Sequence, residues 1–142
     1  MPERRLAKTS AMPFPAEFRP VYRYLMRQFK RQDCEILDEE LWRQSGVVYA
    51  RVHQRKVVYI GSTDGSLSNR IARHIRGIAT SMHGTAPRYR KWAEGKQITI
   101  AAYKPPPVKL LNRQMEVHRA IEAALIEEFQ RVGEPDWFVA RR

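Results

Sequence analysis

The apolar and polar positions change period along the chain, and each change predicts an element. Two short runs, Val47–Val52 (VVYARV) and Val57–Gly61 (VVYIG), are β-branched and aromatic, and the polar residues His53, Gln54, Arg55 and Lys56 separate them. That pattern predicts a β-hairpin. From Ser66 to Ile78 the period lengthens to that of a helix. Leu67, Ile71, Ile75 and Ile78 recur on one face, and Asp64 or Ser66 can cap the start. A further helix is expected from Pro87 to Glu94, with proline in its first turn and Gly95 past its end. Ile98–Tyr103 (ITIAAY) predicts a third strand, ended by Pro105, Pro106 and Pro107.

The flanks read as helical. Phe18, Val21, Tyr22, Leu25, Met26 and Phe29 form a stripe over residues 16–31, opposite Arg19, Arg23, Arg27 and Lys30. Residues 38–44 (DEELWRQ) suit a short helix capped by Asp38. A last helix is expected from about Leu111 to Gln130, before Gly133 and Pro135. The expected fold is therefore α+β, a small three-stranded antiparallel sheet flanked by helices. Residues 1–45 are read as an N-terminal arm and helical extension packed on a core of residues 46–142.

The chain has 142 residues, enough for one domain with a modest core. Hydrophobic residues make up 43% and charged residues 29%, a globular balance rather than a disordered one. No apolar run approaches the roughly 20 residues that span a bilayer, and the start MPERRLAKTSAMPFP has no apolar core of a signal peptide. Cys34 is the single cysteine, which excludes an internal disulfide and suits a reducing, cytoplasmic setting.

Charge placement narrows the function classes. The formal net charge is +11. Residues 1–44 contribute +2, residues 45–110 contribute +10 and residues 111–142 contribute −1. An excess confined to the middle favours a polyanionic partner over general solubility. Arg88, Tyr89, Arg90, Lys91 and Trp92 interleave bases with aromatics, and Arg73, Arg76, Lys96 and Lys104 add charge nearby. Either the aromatics stack on a ligand, or they belong to the core and only the cations face outward.

Four features carry candidate chemistry. Glu122 falls in the middle of a largely apolar stripe, Leu111, Met115, His118, Glu122, Leu125 and Phe129. A carboxylate there needs a cation, a metal or strong donors. Arg70 and His74 lie one helical turn apart and share a face. Tyr49 and Tyr59 sit on the two hairpin strands. Each alone has an ordinary reading: an ion pair, a solvated face, packing.

As a set they resemble the GIY-YIG nuclease family. Gly46-Val47-Val48-Tyr49 is similar to its first motif and Tyr59-Ile60-Gly61 matches the second literally. Arg70, His74 and Glu122, the last followed by Leu125-Ile126, fall where the family carries its arginine, histidine and metal-site glutamate. The resemblance spans roughly residues 46 to 130. Many members carry an Asn after the glutamate helix; here none follows Glu122, and Gln130 is the nearby amide.

The resemblance implies a Mg²⁺-dependent DNA endonuclease, with Mn²⁺ as a substitute ion, acting on double-stranded DNA. Residues 46–142 would form its nuclease domain. Tyr49, Tyr59, Arg70, His74 and Glu122 would be catalytic, with Glu122 also the metal ligand and Tyr49 the base beside His74. Arg73, Arg76, Arg88, Arg90, Lys91, Lys96 and Lys104 are the expected nucleic-acid-binding set. A restriction-type, phage or homing enzyme is compatible with this, and cutting both strands would favour a homodimer. The alternatives are a non-catalytic nucleic-acid-binding module on the same fold, and a basic RNA-binding protein.

Overall fold

A computed structural model describes residues 15–28, 30–82 and 86–132, with the side chains of residues 78 and 130–132 left out. Residues 1–14, most of the arm expected at the N-terminus, lie outside the described residues. The elements in chain order are β1 (Arg19–Arg27), β2 (Lys30–Ile36), α1 (Glu39–Trp42), β3 (Ser45–His53), β4 (Lys56–Ser66), α2 (Leu67–Thr80), α3 (Ala86–Ala93), β5 (Gln97–Tyr103), β6 (Val108–Leu110), β7 (Arg113–Met115) and α4 (His118–Val132). The fold is mixed α+β, as expected. The main sheet, however, has five strands rather than three, in the order β2-β1-β5-β3-β4 with every pairing antiparallel.

The hairpin forms where the pattern placed it. His53 pairs with Lys56, and the two residues between, Gln54 and Arg55, have φ of 50° and 69°. Two successive left-handed residues match the right-handed twist of the strands they join. Residues of β3 alternate between two cores. Val47 and Tyr49 face the side covered by α1, α2 and α3, and Val48 and Ala50 face Ile126 and Phe129 of α4. In α2 the caps are as expected, with Ser66 accepting from the Asn69 amide at 3.3 Å, and Leu67, Ile71 and Ile75 are buried. Asp38 caps α1 by accepting from the Leu41 amide at 3.0 Å.

One expected helix is absent and another starts later than expected. Within the stretch expected as a helix, residues 19–27 form β1 and residues 30–31 begin β2, and Phe29 lies outside the described residues. The register shifts between Pro20 and Tyr22, so Val21 and Tyr22 are both buried before strict alternation resumes with Tyr24 and Met26. That bulge places consecutive apolar residues inward and imitates a helical stripe. β1 lies inside the sheet, between β2 and β5, and Tyr22 stacks on Trp42 at a centroid distance of 4.2 Å. β2 is exposed along its length and charged, which protects a free sheet edge.

The helix expected from Leu111 begins only at His118. Before it, β6 and β7 make a small hairpin, with Leu110 paired to Arg113 and positive φ at Leu111 and Asn112. Leu111 and Met115 shared helical spacing with Glu122 by coincidence; they are 85% and 48% exposed. No helix among the described residues is long and apolar enough to cross a membrane.

The β6–β7 hairpin leaves Leu111 at the surface, whereas a helix from Leu111 would have turned it inward. Ile100 is fully buried in β5, so Ile100→Ala should cost about 3 kcal/mol of unfolding free energy. Leu111→Ala should change it by less than about 0.5 kcal/mol. Urea denaturation of the two variants measures both.

Candidate active site

The edge strand β4 organises the site, because it joins the hairpin to α2 on one side and touches α4 on the other. Tyr49 comes from β3, Tyr59 from β4, Arg70 and His74 from one face of α2, and Glu122 from α4. The sequence nominated these five residues from four separate segments, and the fold brings them together.

His74 is the junction. Its Nδ1 lies 3.1 Å from Tyr49 Oη and its Nε2 lies 3.2 Å from Tyr59 Oη. Burial pushes the imidazole down to about 3, and the positive charges of Arg51 and Arg70 push the same way. His74 is therefore neutral at pH 7, with one ring nitrogen donating and the other accepting. Burial and the nearby Tyr49 hold the Tyr59 phenol well above its ordinary range. A protonated Tyr59 can donate to Nε2, which would put the ring proton on Nδ1, beside Tyr49 Oη. Arg70 interacts electrostatically with the Tyr49 and Tyr59 oxygens.

Gly61 makes room for this cluster. A Cβ at Gly61 would come within 2.8 Å of Tyr49 Cζ and Oη and 3.0 Å of Tyr59 Cε1. Any side chain there has to displace a ring, which accounts physically for glycine after Tyr59-Ile60.

Beside the tyrosines opens a cleft of about 500 Å³, lined among others by Ser62, Asn69, Arg70, Arg73 and Glu122. Tyr49 has no exposed surface, whereas Arg70 lines the cleft. Arg70 Nε is buried and has no hydrogen-bond partner. Glu122 receives the Ser62 hydroxyl at 2.5 Å and feels the charges of Arg70 and Arg119. The carboxylate in the apolar stripe has thus found strong donors and cations.

At the cleft mouth Asp64 pairs with Arg119 and with His118 Nε2, 2.7 Å away. Hydrogen bonds from both partners lower its carboxyl to about 2. This brace ties the end of β4 to the start of α4, and so sets where Glu122 stands relative to Arg70.

The expected nucleic-acid-binding set divides. Arg73 borders the cleft, and Arg76, Arg88 and Lys91 are exposed. Lys96 instead donates to the Trp92 carbonyl at 2.7 Å and lies over the Trp92 ring, Arg90 donates to the Ser81 carbonyl, and Lys104 donates to the Ser45 carbonyl. Tyr89 is buried and Trp92 packs against the core, so these aromatics are core residues. Sequence reasoning did not nominate Arg51, Ser62, Asp64 or Arg119 for the site. Arg51 was detectable, since alternation puts it on the same face of β3 as Tyr49.

The donor set can be tested against the metal the resemblance implies. Glu122 and the Ser62 hydroxyl offer oxygen alone, beside an open cleft. No group of three or more His, Cys, Asp or Glu residues suited to a metal occurs among the described residues. One carboxylate with room for water fits a hard ion that keeps most of its hydration, and would not suit a zinc-type site.

Comparison with known proteins bears on the fold. The chain is similar to a mutant of bacteriophage T4 EndoII, with a TM-score of 0.60 and 17% identity over 96% of this chain and 98% of that one. This is a likeness of fold across nearly the whole length of both. Restriction endonuclease HPY188I, solved in complex with product DNA, aligns at a TM-score of 0.48 and 18% identity, covering 82% of this chain and 76% of that one. No protein-family profile and no curated protein sequence matches the chain.

Neutral His74 has a consequence for stability. Its folded value, about 3, lies below its ordinary 6.5. As the pH falls below 6.5 the unfolded chain takes up a proton that the folded one refuses, so stability declines with falling pH. Between about pH 6.5 and 5 the His74 contribution should approach a slope of about 1.4 kcal/mol per pH unit. His74→Gln should remove that part of the slope, as measured by urea denaturation across the window.

Proposed function

We propose that this chain is a Mg²⁺-dependent DNA endonuclease that hydrolyses phosphodiester bonds with a GIY-YIG-type site, and that double-stranded DNA is its substrate. One observation carries the reading: neutral His74 bridges two tyrosine oxygens beside a cleft lined by Arg70, Arg73 and Glu122. The fold likeness to EndoII is consistent with it.

In this reading a backbone phosphate enters the cleft and is met by Arg70 and by exposed Arg73, both of which line it. Tyr49 is buried, and engagement of Arg70 by phosphate also opens the phenol oxygen to water. As phenolate, Tyr49 takes a proton from that water, whose oxygen then forms a bond to phosphorus while the bond to the leaving sugar oxygen breaks. Nδ1–H of His74 and the Arg70 guanidinium stabilise the phenolate beforehand. Tyr59, protonated, fixes the imidazole through Nε2. Arg70 meets the charge that builds on the phosphate oxygens. Glu122 and Ser62 would hold the metal ion, which supplies Lewis-acid stabilisation of phosphate and leaving-group charge when bound. Arg76, Arg88 and Lys91 would neutralise backbone charge further out, making affinity fall steeply with salt.

The test is cleavage of supercoiled plasmid with Mg²⁺, with EDTA, and with Glu122→Ala and Tyr49→Phe alongside the unaltered chain. Nicking or linearisation should require the metal and be lost in Glu122→Ala. Tyr49→Phe should cut at least about 100-fold more slowly, with DNA affinity at fixed salt unchanged. Activity in a well-folded Tyr49→Phe protein would rule out Tyr49 as the base. Absence of cleavage by the unaltered chain on varied DNA, with salt-sensitive binding intact, would favour a non-catalytic binding module.

A further inference from the structure

Arg51 lies beneath this site and the mechanism above does not use it. It points inward from β3, two residues past Tyr49, and is 1% exposed. Its guanidinium lies between aromatic rings, 5.3 Å from the centroid of Tyr59 and 5.3 Å from that of Tyr89. Nε and Nη2 are buried without hydrogen-bond partners, and none of the ion pairs among the described residues involves Arg51. A buried cation without a counter-ion is costly, and two ring faces compensate for little of that. Packing alone would be served by a methionine of similar length. The unpaired charge is what distinguishes this side chain.

The groups around it indicate what the charge acts on. Tyr24 faces it from β1, Tyr59 from β4, His74 from α2 and Tyr89 from α3, while β5 contributes only Ile100 opposite it. Tyr49 adds the remaining negative potential from its own strand. Burial holds Tyr24 and Tyr59 well above the ordinary phenol range, so both stay neutral. Tyr24 Oη has no hydrogen-bond partner among the described residues, whereas Tyr49 Oη lies 3.1 Å from His74 Nδ1.

We propose that Arg51 is a positioning residue whose missing counter-ion is the Tyr49 phenolate: its buried charge stabilises the negative form of Tyr49 from inside the core, without touching DNA. This rests on the reading of Tyr49 as the base. Arg51 and Arg70 then flank the Tyr49–His74 pair, one sealed in the core and the other facing the cleft. Substrate can engage Arg70 without removing the positive charge that holds the phenolate.

Arg51→Met tests this, with Arg51→Lys as the charge-preserving control. Ultraviolet difference titration of each protein against its own Tyr49→Phe counterpart isolates the Tyr49 midpoint without any need for cleavage. In Arg51→Met that midpoint should rise by at least about one pH unit, a tenfold loss of phenolate at neutral pH. Arg51→Lys should move it less. Cleavage by Arg51→Met should fall at least tenfold at pH 7 and recover towards the unaltered rate as the pH rises, with DNA affinity unchanged. A folded Arg51→Met protein whose Tyr49 midpoint does not move would overturn the proposal, as would a rate lowered equally at every pH. If Arg51→Met leaves too little folded protein, Arg51→Gln is read by the same two criteria. If the unaltered chain cleaves nothing, the nuclease reading fails, and the titration still decides what Arg51 does.

Discussion

The site depends on a single neutral imidazole held between two phenols. A histidine in water takes up a proton near neutrality and would then donate to both tyrosine oxygens alike. Buried beside two arginines, His74 stays neutral and must treat them differently, accepting from one and donating to the other. In the proposed mechanism that asymmetry separates the tyrosines, with Tyr59 as the protonated anchor and Tyr49 as the base. Chemically similar side chains are separated by environment rather than by identity.

The architecture delivers this asymmetry through the edge strand β4. On one face it carries Tyr59 next to α2, and further along it supplies Ser62 to Glu122 of α4. Gly61 lies between the two and leaves room for the Tyr49 ring. The Asp64 brace to His118 and Arg119 then fixes α4 against the end of the same strand. Five side chains from four segments converge because one strand borders all of them, and because α2 follows that strand with no intervening loop.

Much of this was legible in the sequence, where local pattern and chemistry agree. The β3–β4 hairpin, the Ser66-capped helix and the convergence of Tyr49, Tyr59, Arg70, His74 and Glu122 could all be read from spacing and from the family resemblance. The failures came where two periodicities coincide. A bulge at Val21 made β1 look helical, and Leu111 and Met115 fell in phase with a helix that begins only at His118. Pairing partners far along the chain decide such cases, since β1 finds its place only against β5. Arg51 escaped notice for a related reason. Its meaning depends on what surrounds it in the core, and a charged residue in a strand normally signals a solvent-facing position.

The measurement that bears most directly on the whole account is a ¹⁵N nuclear magnetic resonance titration of the His74 ring in the unaltered protein. The account predicts one fixed neutral tautomer at pH 7, protonated at Nδ1, with no change of charge until the pH falls well below 5. A ring that titrates near its ordinary value of 6.5, or that carries its neutral proton on Nε2, would contradict the assignment of Tyr49 as base and Tyr59 as anchor.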